Sequence, residues 1–329
     1  MLRRILALLC SVCLVASLSC SRGGGGGKSG KITIAVIPKG TTHEFWKSVH
    51  AGAVKASKEL GVDIVWKGPV KEDDLKDQID VVQSFTAQGV SGIVLAPLND
   101  KALAGAVKGA VAAKIPVVVF DSDLQGKEHA SFVATDNVAA GRLAGEALGK
   151  LLGGKGKVVL LRYQEGSAST ANREQGFLEG IKKSPEIEIV SDNQYGGATT
   201  ESAFSTSERL LGAQKAADGG VNGIFCPNES TTFGMLLALQ KAGLAGKIKL
   251  VGFDSSPKLV AGLTSGQIDG LVLQDPFNIG YLAVKTMVQR LKGEKVPERI
   301  DTGARLVTKE NMNEPATKEL LSPDLEKWL

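Results

Sequence analysis

The feature that most constrains this chain is a repeated alternation of short apolar strands with amphipathic helices. Apolar strand runs separated by helices indicate βαβ units, which build a parallel sheet with helices on both faces. The sequence therefore predicts an α/β protein. Ten strands are predicted, at residues 32–37, 62–66, 92–96, 116–120, 132–134, 157–161, 187–190, 223–226, 249–253 and 270–273.

The number of strands and one internal segment indicate two lobes. Ten strands are too many for one compact doubly wound sheet of ordinary size. The segment "GEALGKLLGGKGKVVLL" (145–161) has the form of a second start, a glycine-rich turn leading into a fresh first strand. We therefore predict two similar doubly wound parallel-sheet lobes. The alternative, one closed (β/α)₈ barrel, requires eight strands and fits the count less well.

The first 30 residues have the pattern of an export signal followed by a tether. Arg3 and Arg4 precede an apolar run at 5–15 that is too short to span a bilayer, so residues 1–19 are predicted to be a signal peptide. The Ser-Leu-Ser triplet before Cys20 resembles a bacterial lipoprotein signal, with Leu18 one position later than the usual aliphatic residue. We expect lipidation at Cys20, with cleavage by an ordinary signal peptidase as the alternative.

Residues 20–30 are predicted to be a flexible tether because they contain five consecutive glycines. The run ends in Gly27-Lys28-Ser29, which matches the end of a nucleotide-binding P-loop. Arg22 occupies the place of that motif's first glycine, and a strand follows where the motif needs a helix. We therefore interpret this segment as a tether and not as a phosphate site.

Composition limits the possible partners. Removal of residues 1–19 leaves 37 basic and 35 acidic side chains, a net charge of +2. This charge is too small to indicate a surface that binds nucleic acid. Of four cysteines only Cys20 and Cys226 remain, so acylation of Cys20 would preclude a disulfide. No later apolar run reaches the ~18 residues of a membrane helix, so we expect membrane contact only through a lipid anchor. We expect a monomer.

Polar and aromatic residues follow the predicted strand ends. Ligands of open α/β sheets bind beyond the carboxyl ends of the strands. Carboxylate, amide and guanidinium groups can bind vicinal hydroxyls in pairs, and aromatic faces pack on the C–H faces of a sugar ring. The sequence therefore predicts a sugar site. The candidates are Lys39, His43, Phe45, Trp46, Asp121, Arg173, Asn228, Asp254 and Gln274.

Other roles for these residues stay open at this point. Phe45 and Trp46 could belong to the core, and Asp121, Asn228 or Asp254 could cap a helix. Asp121 and Asp123 could hydrolyse a glycoside as a carboxylate pair, the weak alternative of an enzyme. The three histidines lack metal-ligand spacing and no G-x-S-x-G motif is present, so we predict no enzyme, no metal and no cofactor.

Seven stretches carry a family resemblance over about residues 31–309. In chain order they are "HEFWKSVHAGA", "IPVVVFDSD", "FVATDNVAAGRLAGEAL", "TANREQGFLEGI", "GIFCPNESTTFGMLLALQKAG", "LVGFDSS" and "LVLQDPFNIGYLAVKTMVQRLKGEKV". The chain resembles the type 1 periplasmic sugar-binding proteins, above all the ribose-, galactose- and allose-binding group of ABC importers.

The resemblance implies a hinge of three segments, near Thr135-Asp136, Gln274-Asp275 and Thr302-Gly303. The N-terminal lobe would then comprise residues 31–134 and 275–303, and the C-terminal lobe residues 135–274 and 304–329. A monosaccharide would be captured between them and passed to an ABC permease in the cytoplasmic membrane. An alternative is a sugar sensor that signals to a membrane chemoreceptor or sensor kinase. A lactose-repressor-type regulator shares this fold but needs an N-terminal helix-turn-helix where the signal peptide lies.

The resemblance also assigns roles to the nine candidates. Phe45 and Trp46 match stacking aromatics, and the other seven match polar groups that bind the sugar. Three departures leave the identity of the sugar open. Ser122 stands where many members have Arg, His43 where many have Asn, and Gly196-Gly197-Ala198 replace an aromatic residue.

Overall fold

A computed structural model describes residues 31–329. The predicted signal peptide and tether, with Cys20, lie outside the described residues. The strands in chain order are β1 (Thr33–Ile37), β2 (Asp63–Trp66), β3 (Gly92–Leu95), β4 (Val117–Phe120), β5 (Ser131–Ala134), β6 (Lys155–Arg162), β7 (Glu186–Tyr195), β8 (Gly223–Phe225), β9 (Lys249–Phe253), β10 (Gly270–Leu273), β11 (Arg299–Asp301) and β12 (Arg305–Val307). The helices are α1 (Glu44–Leu60), α2 (Leu75–Gln88), α3 (Ala104–Ala112), α4 (Asn137–Leu151), α5 (Ala168–Ile181), α6 (Thr200–Ala213), α7 (Glu229–Lys241), α8 (Pro257–Thr264), α9 (Pro276–Leu291) and α10 (Pro315–Leu321).

The strands form two six-stranded sheets with the same order. The first sheet runs β2-β1-β3-β4-β5-β11 and the second runs β7-β6-β8-β9-β10-β12. Every pairing is parallel except that of β12 with β10, which is antiparallel. The expected pair of similar α/β lobes is confirmed, with one correction. The sequence predicted wholly parallel sheets and missed β11 and β12, because three-residue edge strands carry no continuous apolar run.

The chain passes between the sheets three times. The segments are 135–136 between β5 and α4, 274–275 between β10 and α9, and 302–304 between β11 and β12. Helix α4 packs on strands of the second sheet, and α9 packs on strands of the first. Each lobe is therefore built from separate segments of the chain.

Helices cover both faces of each sheet, so the central strands are apolar on both faces. In the first sheet, Val36, Val94 and Val118 belong to one buried cluster. Their neighbours Ala35 and Ile93 belong to another on the opposite face. This arrangement explains the unbroken apolar runs from which the strands were predicted. Among residues 31–329, no helix combines the length and apolarity needed to cross a bilayer.

Glycines allow close contact between the helices that carry the polar strand-end residues. A Cβ on Gly280 of α9 would lie 2.0 Å from the Val49 carbonyl oxygen of α1, and one on Gly52 would lie 1.8 Å from the Phe277 oxygen. In the second lobe, a Cβ on Gly141 of α4 would lie 2.0 Å from the Arg173 oxygen of α5. Backbone packs against backbone at both contacts, so any larger residue must push the helices apart.

The C-terminal segment contacts both lobes. Leu321 of α10 lies in the second lobe's core cluster with Leu271 and Leu273. Trp328 lies against Phe277 at the start of α9, with ring centroids 6.4 Å apart, and the Lys58 Nζ lies 5.4 Å from its ring. The last residues therefore run from the second lobe to the first.

We expect Gly280→Ala to destabilise the protein by about 1–3 kcal/mol or more, because the added methyl group must separate α1 from α9. Gly109→Ala is the matched control, since it is exposed in α3 and its Cβ would meet no atom within 4 Å. Gly109→Ala should stabilise the protein by about 0.5–1 kcal/mol, because alanine lowers the backbone entropy of the unfolded chain. Urea unfolding measures both. Equal stability of the two variants would contradict the close-contact argument.

Candidate functional site

Residues from the carboxyl ends of strands in both sheets line one cleft between the lobes. The remaining space measures about 30 Å³, room for about two or three water molecules. The lobes are therefore closed on each other. All nine residues predicted from the sequence line the cleft, together with five that were not predicted: Glu72, Tyr163, Ser169, Thr170 and Glu229.

Two aspartates occupy equivalent positions in the two lobes. Asp121 follows β4 and Asp254 follows β9, the fourth strands of their lobes in chain order. Both have left-handed backbone, with φ of 60° and 68°. This region is uncommon for residues other than glycine, and costs of order 1–3 kcal/mol, so it is found mainly where function requires it. The unusual backbone directs both carboxylates into the cleft.

Each aspartate carboxylate has a buried cationic neighbour. The Lys39 Nζ lies 3.0 Å from the Asp121 Oδ2, and both side chains are about 95% buried. The Asp254 Oδ1 accepts a hydrogen bond of 2.8 Å from the Gln274 Nε2, and its Oδ2 lies 4.0 Å from the Arg173 Nη1. Burial raises the pKa of Asp254, and Arg173 opposes that rise.

Arg173 is held by three contacts on its buried guanidinium. Its Nε donates to the Asn137 Oδ1 at 2.8 Å, and its Nη1 donates to the Pro227 oxygen at 2.9 Å. The guanidinium carbon lies 4.0 Å from the Phe253 ring centroid. The side chain is thus fixed before any ligand arrives, which lowers the entropic cost of using it for binding.

Glu72 lies at the centre of a network that sequence reasoning missed. Its carboxylate accepts hydrogen bonds from the Trp46 Nε1 at 2.5 Å, from the His43 Nδ1 at 2.7 Å and from the Tyr163 hydroxyl of the other lobe. Burial alone would lower the pKa of His43, but Glu72 outweighs it and raises that pKa to about 9. Burial likewise would raise the pKa of Glu72, but His43 lowers it to about 2. The pair is therefore charged at neutral pH.

Glu229 of the second lobe caps a helix of the first. Its two carboxylate oxygens accept the Glu44 and Phe45 backbone N–H groups, at 3.3 and 3.2 Å. These groups begin α1 and have no partner within the helix. Burial raises the pKa of Glu229 to about 7, against the opposing charge of His43. The partly buried Glu229 side chain thus joins the lobes at the positive end of a helix.

Smaller polar contacts also cross the cleft. The Lys39 Nζ donates to the Ser169 Oγ at 3.0 Å, and the Ser169 N–H donates to the Ser122 Oγ at 3.0 Å. Ser122, which stands where relatives were expected to have Arg, therefore has a structural role in closure. Water can replace each of these partners when the lobes separate.

The aromatic candidates lie at the cleft wall but are also core residues. Trp46 is 3% exposed and Phe45 is 8% exposed, and their rings meet edge to face with centroids 4.9 Å apart. Asn228 likewise combines two roles, since it lines the cleft and caps α7 by accepting the Thr231 N–H at 3.2 Å. Asp254 does not cap the helix after it, because Ser256 is the N-cap of α8.

Two of the missed residues, Glu72 and Tyr163, lacked a clear sequence signal. Glu72 lies in "VKEDDLKD", a charged run that resembles a solvated surface. Tyr163 lies beyond the predicted end of its strand. The observed strand β6 continues to Arg162. Had the predicted strand ended there, Tyr163 would have stood at a strand end like the other candidates. Tyr163 gives the second lobe an aromatic ring at the cleft. The family resemblance led us to expect such a ring at 196–198, where this sequence has Gly196-Gly197-Ala198 instead.

The donor set does not favour metal binding. Within the described part of the chain, no group of three or more His, Cys, Asp or Glu side chains is arranged to hold a metal ion. The closely placed groups form ion pairs and hydrogen bonds with each other. The cleft is suited to binding a polar molecule by hydrogen bonds from both lobes.

A family model described as "Periplasmic binding protein domain" matches residues 34–295. The chain belongs to this periplasmic binding protein family. The family expectation from the sequence is therefore confirmed. Its relatives are binding proteins for transport, and the chain is a binding protein and not an enzyme.

Two curated relatives span most of the chain. The ribose import binding protein RbsB of Escherichia coli is 28% identical over 313 residues, covering 94% of this chain and 99% of its own. The D-allose-binding periplasmic protein of Escherichia coli is 28% identical over 270 residues, covering 80% and 85%.

Solved structures agree with these relatives. A carbohydrate transporter solute binding protein from Agrobacterium radiobacter, in complex with D-arabinose, has a TM-score of 0.84 and 35% identity, covering 89% of this chain and all of its own. An ABC transporter solute binding protein from Agrobacterium vitis with bound D-fucose has a TM-score of 0.83 and 36% identity, covering 88% and 100%.

We predict that Glu72→Gln lowers the pKa of His43 from about 9 towards its ordinary 6.5, because the charge and hydrogen bond of Glu72 are the largest effects that raise it, and only the weaker effects of Glu229 and Asp254 then oppose burial. The raised pKa of His43 gives stability that is full below pH 6.5 and lost as pH rises through about 9. The lowered pKa of Glu72 gives stability that is full above pH 4.5 and lost as pH falls through about 2. The wild type should exceed the variant in stability most between pH 4.5 and 6.5.

An NMR titration of the imidazole signals measures the first effect, and thermal unfolding across pH measures the second. His129 provides an internal control, since Glu72 does not contact it. An unchanged midpoint for His43 in the variant would show that the pair does not form.

Proposed function

We propose that this protein captures a neutral monosaccharide between its two lobes and delivers it to an ABC import permease. The observation that carries the proposal is the convergence of carboxylate, amide, guanidinium and aromatic groups from both lobes on one closed cleft. The relatives named for ribose and allose, and the structures with D-arabinose and D-fucose, support a sugar as the ligand.

The charges in the cleft favour a neutral ligand. Four carboxylates, those of Glu72, Asp121, Glu229 and Asp254, line it with three cationic groups. Three of the carboxylates have a cationic neighbour within 4.0 Å, and Glu229 caps a helix instead. An anionic sugar such as a uronate would bring a charge for which the three cationic groups, each already beside a carboxylate, offer no excess. Carboxylate acceptors suit the many O–H donors of a neutral sugar.

Closure supplies the mechanism. A ligand that contacts both lobes binds the closed form more strongly than the open form, and so shifts the population towards closure. The three connecting segments act as the hinge, with residues 31–134 and 275–303 as one lobe and residues 135–274 and 304–329 as the other. The permease would recognise the two lobe surfaces only when they are brought together.

The contacts are sufficient for micromolar binding. Such an affinity corresponds to about 8 kcal/mol. Charge-assisted hydrogen bonds contribute about 1.5–3 kcal/mol each, so four or five of them give about 6–15 kcal/mol before ring contacts are added and the ordering costs are subtracted. The fixed positions of Arg173 and Asp254 reduce those costs.

The export pattern completes the proposal. Residues 1–19 would direct secretion, Cys20 would carry the lipid, and residues 20–30 would hold the binding domain away from the membrane. The protein would then work as a monomer on the outer side of the cytoplasmic membrane, in reach of its permease.

A thermal-shift screen against neutral pentoses, hexoses, deoxysugars and polyols tests the ligand class, because a bound ligand raises the melting temperature by mass action. We expect Asp121→Asn to weaken binding of the best sugar about 10- to 100-fold, the loss of one charge-assisted bond. Asp123→Asn is the matched control, since it follows the same strand but does not line the cleft. No shift with any neutral sugar would refute the proposal, and equal loss in both variants would refute the role of Asp121.

The Tyr163 hydroxyl provides a test of closure. Tyr163→Phe removes the bond to Glu72 across the cleft, so we expect the sugar to dissociate about tenfold faster or more while the association rate changes little. Tyr281→Phe is the control, because its hydroxyl bonds Glu59 within the first lobe, at 2.9 Å. Stopped-flow fluorescence measures the rates, and unchanged release in Tyr163→Phe would show that this contact does not hold the closed form.

A further inference from the structure

A second cavity lies beside the cleft, under the C-terminal segment. It measures about 210 Å³, against about 30 Å³ for the cleft itself. Its walls are the start of α1, the loop after β9, the start of α9 and residues 320–325. We call this space the tail chamber. One water molecule needs about 10–15 Å³ of such space, so the chamber has room for a group of several carbon atoms.

The chamber and the cleft share part of one wall. Phe45, Asp254 and Gln274 line both spaces. To reach the chamber, a substituent on a ring bound in the cleft would have to displace part of this wall, in which the Gln274 Nε2 donates to the Asp254 Oδ1 at 2.8 Å. The two spaces are therefore neighbours separated by a wall of three side chains.

Two buried polar atoms on the chamber wall have no partner among residues 31–329. The Gln274 Oε1 and the Ser48 Oγ make no hydrogen bond within this range, and their residues are only 3% and 4% exposed. Leaving a buried polar atom unpaired costs about 1–3 kcal/mol, so native structures usually provide a partner. Ser48 lies one helical turn after Phe45, on the same face of α1. The wall thus offers an acceptor and a hydroxyl to an occupant.

The remaining lining restricts what that occupant can be. Leu273, Pro276, Leu321 and Leu325 give the chamber an apolar surface. In the described part of the chain, the charged residues that line it are Glu44 and Asp254, both acidic. An anionic group is therefore unfavourable, whereas a short alkyl chain with a hydroxyl group would match both the apolar wall and the two unpaired atoms.

We propose that the tail chamber is an aglycone subsite, so that the preferred ligand is a small alkyl or hydroxyalkyl glycoside with its ring in the cleft. This inference rests on the proposed sugar-binding function. It adds that the C-terminal segment, through Leu321 and Leu325, selects the group attached to the ring. A protein without this segment would have no such wall on that side.

The test compares each neutral monosaccharide of the screen with its methyl, propyl and 2,3-dihydroxypropyl glycosides, in both anomers, by isothermal titration calorimetry. At least one propyl or dihydroxypropyl glycoside should bind the wild type as tightly as its free sugar or more tightly. Leu325→Trp, which fills the chamber from the partly exposed tail, should weaken that glycoside at least tenfold and change the free sugar less than twofold. Leu325→Ala is the matched control: it removes part of the apolar wall but leaves the chamber open, so it should weaken the glycoside much less than Leu325→Trp does.

The outcomes separate the two proposals. If a free sugar binds and every glycoside is at least tenfold weaker, or if Leu325→Trp weakens both ligands equally, the subsite is refuted and the sugar function stands. If neither sugars nor glycosides bind the wild type, both proposals fail. A crystal structure of the glycoside complex decides the position directly, since the alkyl group must lie between Ser48 and Leu325. A chamber filled only by water in that complex would also overturn the inference.

Discussion

The closed cleft depends on the pairing of buried charges across and within the lobes. Removing an ion from water costs several kcal/mol, and an unpaired buried charge is strongly destabilising. Lys39 with Asp121 and His43 with Glu72 meet this requirement inside the first lobe. Across the cleft, Glu229 accepts the first N–H groups of α1, the Tyr163 hydroxyl donates to Glu72, and Lys39 donates to Ser169. These polar contacts help to fix how the two lobes meet.

The repeated sheet order explains why the site has groups of the same type on both sides. Each lobe places an aspartate with left-handed backbone at the end of its fourth strand, and both carboxylates face the same cleft. The surroundings then differ. The first lobe gives Asp121 a lysine and adds Phe45 and Trp46, whereas the second gives Asp254 an amide and a guanidinium. A duplicated framework thus holds two different halves, as recognition of an asymmetric ring requires.

The sequence predicted the fold well where its signal was local and strong. All ten predicted strands overlap observed ones, because buried parallel strands are continuous apolar runs, and the nine candidate residues converge because strand ends share one edge of a sheet. Edge strands β11 and β12 were missed, since pairing and not apolarity defines them. Glu72 and Tyr163 were missed for a different reason. Glu72 lies in a charged run and Tyr163 follows a strand, and their contact with each other exists only because the two lobes meet.

The C-terminal segment shows how closure and selectivity can be linked in this fold. It is fixed to the second lobe by Leu321 and to the first by Trp328. Six residues separate these two contacts, and an extended chain of that length spans up to about 20 Å. The segment is therefore long enough to stay attached at both ends in the hinge opening that we propose. Since its inner face lines the tail chamber, opening the cleft must also change the chamber's shape, so a group bound there would favour closure by the same differential affinity as the ring itself.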